Sequence, residues 1–230
     1  MPWHIVPDRF EVDIMRMLLG LAVIVVSVAV LGGQSRLAPD IHPESLSRLP
    51  PLQRDSLDAE GKRVWDLIGG GRGMPKTGPA PVSMYSPITA EPIHVLNQNL
   101  RKTVAGSRYF ELSALLAARE FDQQYEWSAH EPAGLRQGLE QSVIDVVKYN
   151  RDVKGLGDKD ATLIRFGRTL YREHRVSSEL WQKMIGHFGR QHTVQLMMIM
   201  GDYFRVGFMM NAVDQHLPPE RKPLLPTLSR

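Results

Sequence analysis

Phe110-Glu-Leu-Ser-Ala-Leu-Leu-Ala-Ala-Arg-Glu-Phe-Asp-Gln-Gln-Tyr-Glu-Trp-Ser-Ala-His-Glu-Pro-Ala-Gly-Leu135 carries most of what this chain declares about its fold and its chemistry. Leu112, Leu115, Leu116 and Phe121 recur at helical spacing, and Ser107 ahead of them suits an N-cap. Asp122 can cap a second helix that begins at Gln123. Within that helix Glu126 and His130 stand four apart, so they share a face and their side chains can touch. A carboxylate beside an imidazole fixes its tautomer and raises its basicity, which is the pairing a proton shuttle needs near neutral pH. The same spacing is routine on solvated helix faces, where it amounts to a weak surface pair. Glu111 adds weight to the first reading. It sits among Leu112, Leu115 and Leu116, and either occupies the exposed strip of its helix or is drawn inward, where a lone carboxylate is costly and seeks a partner.

Outward from this window the chain stays helical. Downstream, helices are predicted over Leu139 to Tyr149, Asp158 to His174 and Ser177 to Phe188, with breaks at Gly155-Leu-Gly157 and at Val176. The last predicted helix, about Thr193 to Val213, is apolar nearly all round through residues such as Leu196, Ile199, Tyr203, Phe204 and Phe208. That pattern predicts a helix buried on every side, either central or meeting another subunit. Upstream, Pro92 to Val104 and Ser56 to Ile68 have helical spacing, separated by a proline-punctuated loop at Gly78 to Pro87. Gly69-Gly-Gly-Arg-Gly73 reads as a turn, since no strand precedes it and no Gly-Lys-Ser/Thr follows to make a phosphate loop. No segment alternates with a period of two, so the predicted class is all-α, without solenoid repeats.

The chain divides by composition. Residues 1–35 hold an apolar run from Met17 to Ser35 without a charge, read as a signal peptide or membrane anchor; its small-residue end favours cleavage, which would place the protein outside the cytoplasm. Acidic residues precede the run, and a start at Met15 would give an ordinary signal. Residues 36–55 read as a proline-rich arm or tether, 56–217 as the helical domain and 218–230 as a tail. The whole has 230 residues, 43% hydrophobic, enough to bury a sizeable core. A net charge of +3 does not call for nucleic acid as a partner. Zero cysteines exclude disulfides, thiolate nucleophiles, dithiol peroxidase chemistry and cysteine-ligated metals. Chemistry is left to carboxylates, imidazoles, hydroxyls and amines.

Glu111-Leu-Ser-Ala-Leu-Leu-Ala-Ala-Arg119 followed by Gln124-Tyr-Glu-Trp-Ser-Ala-His-Glu-Pro-Ala133 resembles the signature of the carboxymuconolactone decarboxylase family, which shares its fold with alkyl hydroperoxidase D. The Gly78-Pro-Ala-Pro loop and the apolar final helix are similar too, so the resemblance covers about residues 55 to 215. It implies an alkyl hydroperoxidase D-like bundle of antiparallel helices, assembled as a homotrimer or homohexamer with sites near subunit contacts. In the hydroperoxidase branch a Glu is followed by Cys-x-x-Cys and a His. By motif position Glu111 matches that Glu, Gln123 and Glu126 replace the cysteines, and His130 matches the His. A peroxiredoxin assignment, natural for any member of the family, therefore lacks its thiols, and the decarboxylase branch is the closer likeness.

The function this implies is an acid–base lyase, decarboxylase or isomerase acting on a small carboxylated or lactone substrate, without a cofactor. Such a reaction needs a cation for the departing carboxylate, an apolar wall and a proton donor for the enolate. His130 is the expected donor, oriented by Glu126 or Glu111. Arg119 or Arg101 could meet the substrate carboxylate, and each has a solvated surface position as its alternative. A rival reading is a non-catalytic oligomeric binding or scaffold protein of the same fold. A third would make Glu126, His130 and Glu111 metal ligands, with His187 or His192 as a fourth, although the resemblance implies no metal. An enzyme should bring Glu111, Glu126 and His130 together on a pocket; a scaffold should scatter them. His174 and His216 lie near predicted helix ends, where structural roles are expected.

Overall fold

The computed structural model describes residues 37–103 and 107–228, and every described element lies in the unit that runs from Pro39 to Arg230. The leader at 1–35 with its alternative start at Met15, and the side chain of Ser107, lie outside the described residues. No strand occurs among the described residues, and none of their helices is long and apolar enough to cross a membrane. The predicted all-α class is what the chain forms.

Helix α1 (Ala59–Gly69) starts three residues later than the spacing predicts, because Arg54–Ser56 forms a 3-10 turn and Asp58 is the true cap, accepting from the Gly61 amide at 2.7 Å. The stretch predicted as a loop from Gly78 to Pro87 is instead a short helix, α2 (Pro79–Ser83), followed at once by α3 (Pro87–Thr103). Proline suits the first turn of a helix, where its missing N–H has no partner to lose, so Pro79 and Pro87 start helices where they were read as interrupting them. Pro92 then stands inside α3. Gly78 holds φ at +98° directly before α2, and a Cβ there would lie 2.5 Å from the Tyr125 hydroxyl, so neither its backbone nor its surroundings admit a side chain.

Helix α4 (Ser107–Glu120) is the core of the molecule. Residues 110–119 are ten successive buried positions, and α4 is packed by α5 (Gln124–Arg136), α6 (Gln141–Lys148), α7 (Asp158–Glu173) and α8 (Ser178–Ala212). Leu112, Leu115 and Leu116 interlock there with Trp127, Ile144, Leu163 and Ile199. The most enclosed helix is α4; the last helix, expected to be central or to meet another subunit, is not the central one and is buried along one face within the chain. In α8 Leu196, Ile199, Met200, Tyr203, Val206 and Met210 face inward at helical spacing, while Val194, Met198, Phe204 and Phe208 are exposed.

The predicted break between Phe188 and Thr193 is present as a kink in α8. Gly189 takes φ 71°, ψ 168°, a conformation essentially confined to glycine, and the Thr193 hydroxyl donates to the Gly189 carbonyl at 2.7 Å across it. His174 ends α7 in the left-handed conformation, its amide donating to the Leu170 carbonyl, a structural role as expected.

Neither the arm nor the tail is loose. In the arm the Arg48 amide donates to the Val213 carbonyl, the Leu46 carbonyl accepts from the His216 amide, and the Gln215 side chain bonds the Ser45 carbonyl while accepting from the Gly78 amide. The segment read as a tether is thus fastened to the end of α8 and to the start of α2. In the tail the Gln124 carboxamide accepts from the amides of Leu224 and Leu225 and donates to the Leu225 carbonyl, and Leu225 is buried. The tail belongs to the helical unit.

Candidate active site

Helix α5 builds the site from its first turn. Asp122 lies in the left-handed region at φ 51°, and Gln123, not Asp122, caps the helix, its side-chain oxygen accepting from the Tyr125 amide at 2.6 Å. Gln123 is held further by its bond to Asn211, so this position serves structure. One turn on, Glu126 and His130 point the same way, as the spacing predicts, with His130 Nε2 3.5 Å from Glu126 Oε2. From α4, Glu111 reaches the other ring nitrogen: its Oε2 is 2.6 Å from His130 Nδ1. Of the two readings of Glu111 the interior one holds, since all three side chains are buried.

Burial works against charge on His130, yet the carboxylates of Glu111 and Glu126 outweigh it and hold its pKa above the ordinary histidine value. Its charged form is thus favoured in the fold. The stability this contributes is fully present below about pH 6.5, the ordinary value, and is lost as pH rises through the raised one. The urea midpoint of the protein is expected to fall over that rise, and His130→Gln should remove the slope; identical pH profiles for the two proteins would contradict the pairing.

Around the triad stand Arg101, already a candidate, and residues that the sequence did not single out for the site, Tyr203, Asn97, Asp202 and Arg205. The Tyr203 ring meets the imidazole edge-on at 4.7 Å, and burial pushes its phenol pKa up, keeping it neutral. Arg101 donates to the Tyr203 hydroxyl at 2.9 Å and to Asn97, and its Nη1 lies 3.8 Å from Glu111. Asn97 in turn bonds Asp202, which Arg205 grips at 2.7 Å. The signal for this part was present in the sequence: Asp202 and Arg205 form an i,i+3 charged pair inside an apolar helix, where polar residues need a reason.

These groups open on a cavity of about 560 Å³. Ile68, Ala90, Ile93 and Val206 supply apolar wall; His130 and Glu126 face it, while Glu111 stands behind the imidazole. Four arginines, Arg72, Arg101, Arg205 and Arg221, line it against two carboxylates, Glu126 and Asp202. Tyr125 closes one side, its hydroxyl bonded to Thr77 at 2.9 Å.

Of the two arginines expected to meet a substrate, Arg101 reaches the cavity and Arg119 does not. Arg119 is buried at the far end of α4, donating to the carbonyls of Lys148 and Pro226 and paired with Asp122. At 3.6 residues per turn, the eight residues from Glu111 to Arg119 carry it about two turns along α4, away from the His130 end. The metal reading also finds no support in the geometry. Both nitrogens of His130 are turned on carboxylates, His187 is bonded to Asp158 outside the cavity, and His192 does not line it. Among the described residues no group of three His, Asp or Glu side chains could hold a metal ion.

No protein-family model matches the sequence, and no curated protein matches it. Solved structures do resemble it. An uncharacterized peroxidase-related protein from Ralstonia eutropha JMP134, described as an alkylhydroperoxidase AhpD core, superposes with a TM-score of 0.59 at 16% identity, covering 78% of this chain and 95% of that one. A protein of unknown function from Agrobacterium tumefaciens, described as a putative antioxidant defence protein AhpD, gives 0.54 at 14% identity, covering 60% and 96%. The debrominase Bmp8, as a cysteine-to-alanine variant in complex with 2,3,4-tribromopyrrole, gives 0.56 at 10%, covering 74% and 90%. At such identities the likeness shows the fold: the chain has an AhpD-like helical fold, as its own residues led us to expect.

Proposed function

We propose that this protein is an acid–base enzyme of the carboxymuconolactone decarboxylase type, a lyase, decarboxylase or isomerase acting on a small carboxylated or lactone substrate. The observation that carries the reading is the imidazole of His130, held by Glu111 at one nitrogen, with its other nitrogen beside Glu126 at the wall of an arginine-lined cavity. Glu111 orients the ring through Nδ1, leaving Nε2 as the atom that delivers a proton. In a decarboxylation the bond to the carboxylate carbon breaks, its electron pair moves into a conjugated carbonyl as an enolate, and the imidazolium returns a proton to carbon. Glu126 can reload Nε2 from solvent. The apolar wall favours the charge-dispersed transition state over the localised carboxylate.

The same framework without sulfur suits proton transfer and leaves dithiol peroxide reduction without a reductant, whatever the AhpD-like neighbours do. Against the scaffold alternative stands the meeting of three buried polar side chains, two of them, His130 and Glu126, on the cavity wall, since groups of that kind are costly unless they are used or fully paired. A screen of carboxylated lactones and keto acids with the wild-type protein beside His130→Gln tests the reading; turnover equal in both overturns it.

We also propose that the protein assembles with copies of itself through the outer face of α8. Val194, Met198, Phe204 and Phe208 leave a line of apolar surface there, with Phe208 63% exposed. Phe208→Glu is expected to shift the protein to monomer in light scattering; an unchanged mass would exclude this face. The apolar run at 17–35 supports export or membrane anchoring of the unit that follows.

A further inference from the structure

The four arginines of the cavity differ in their surroundings, and Arg72, just past α1, is exposed to solvent. Arg101 is spent on Tyr203, Asn97 and Glu111, and Arg205 on Asp202 and the Met209 sulfur. The Arg221 guanidinium meets no acid among the described residues, and its buried Nη1 has no hydrogen-bond acceptor. Its guanidinium lies over the Tyr125 ring at 4.6 Å, which orients the group and leaves its N–H edges free. A buried guanidinium nitrogen without an acceptor is costly, and a flexible tail residue would swing into water unless something held it. Gln124 supplies the hold, clamping Leu224 and Leu225 three and four residues on, while Gln124 itself directly precedes Tyr125 and lies two residues before Glu126. The first turn of α5 thus sets both the stacked arginine and the acid–base face.

We propose that Arg221 is the residue that receives the substrate's carboxylate, so that the site selects small molecules with a carboxylate and an apolar body. This rests on the acid–base reading for its use of the cavity, but the two can fail separately. The fork of an arginine matches a carboxylate in two parallel hydrogen bonds, and the Tyr125 face beneath it keeps water off one side. The body of the ligand then lies along Ile68, Ile93, Ala90 and Val206, toward His130.

Isothermal titration of the full chain with benzoate and with its neutral isostere benzamide tests this. Wild type should prefer benzoate, and Arg221→Gln should weaken benzoate by about tenfold or more, as expected for loss of a charged hydrogen-bond partner, while leaving benzamide unchanged. Arg221→Lys, which keeps the charge and loses the fork, should fall between them and serves as the readout if the Gln variant is unstable. His130→Gln should still prefer benzoate. No preference in wild type, no binding of either compound, or a preference that Arg221→Gln leaves intact overturns the proposal. Loss of preference in Arg221→Gln together with undiminished turnover in His130→Gln would keep this site and sink the acid–base reading.

Discussion

Replacing His130 by glutamine is expected to lower turnover by about 10²–10⁴-fold, the range by which a positioned proton donor accelerates a reaction. Glutamine can still donate to Glu111, and the surrounding contacts of Phe110 and Tyr203 are apolar, so the fold should survive and the circular dichroism spectrum should match wild type. Its amide cannot give up a proton near neutral pH. The effect should therefore fall on kcat, with substrate affinity little changed, since the lost interaction belongs to the transition state. Glu111→Gln should cost less, because it disturbs the orientation of the ring and leaves the donor in place. Turnover equal to wild type in His130→Gln would remove the imidazole from the chemistry.

The largest expected effect on stability comes from Lys148→Met. Glu131 follows His130 in α5 but points away from the cavity, into the core, where it accepts from the Trp127 indole and from the Lys148 ammonium, 2.9 Å from both carboxylate oxygens. Both partners are nearly enclosed, with side-chain exposures of 9% and 12%. Methionine fills the space of lysine and strands a buried carboxylate, which costs about 3–5 kcal/mol when one member of such a pair is removed. The double replacement Lys148→Met with Glu131→Leu should recover most of that loss, because burying neither charge is about neutral. Urea unfolding of the three variants checks this; a Lys148→Met protein as stable as wild type would mean that Glu131 is not confined as described.

Much of this architecture was legible because helical period reports burial directly. The relation of Glu126 to His130 and the break near Gly189 both follow from local spacing, and the interior place of Glu111 follows from its apolar neighbours on α4. The errors share a different cause. Pro79 and Pro87 were read by their power to interrupt, when at a first turn they begin helices. The uniform apolarity of α8 hid its two faces, one against α4 and one at the surface, because composition carries no direction. Arg119 is near the acid–base window in sequence, but two turns of α4 separate it from Glu111, and that is distance in space. Arg221 was out of reach: it lies almost a hundred residues beyond the tyrosine it covers, on a segment without periodicity, and the Gln124 clamp holds that segment against the helix.

The ten enclosed positions of α4 have a consequence for how the site moves. Their backbone amides should exchange with deuterium only when the whole molecule opens, whereas the tail between α8 and the Gln124 clamp, held at a few points, should exchange through smaller, more local openings. The carboxylate that steers the imidazole is thereby fixed to the part of the chain that opens last, and the Arg221 guanidinium over Tyr125 to a part that opens more readily. Chemistry and capture sit on opposite ends of the protein's ladder of local stabilities, so ligands can come and go without loosening the machinery that acts on them.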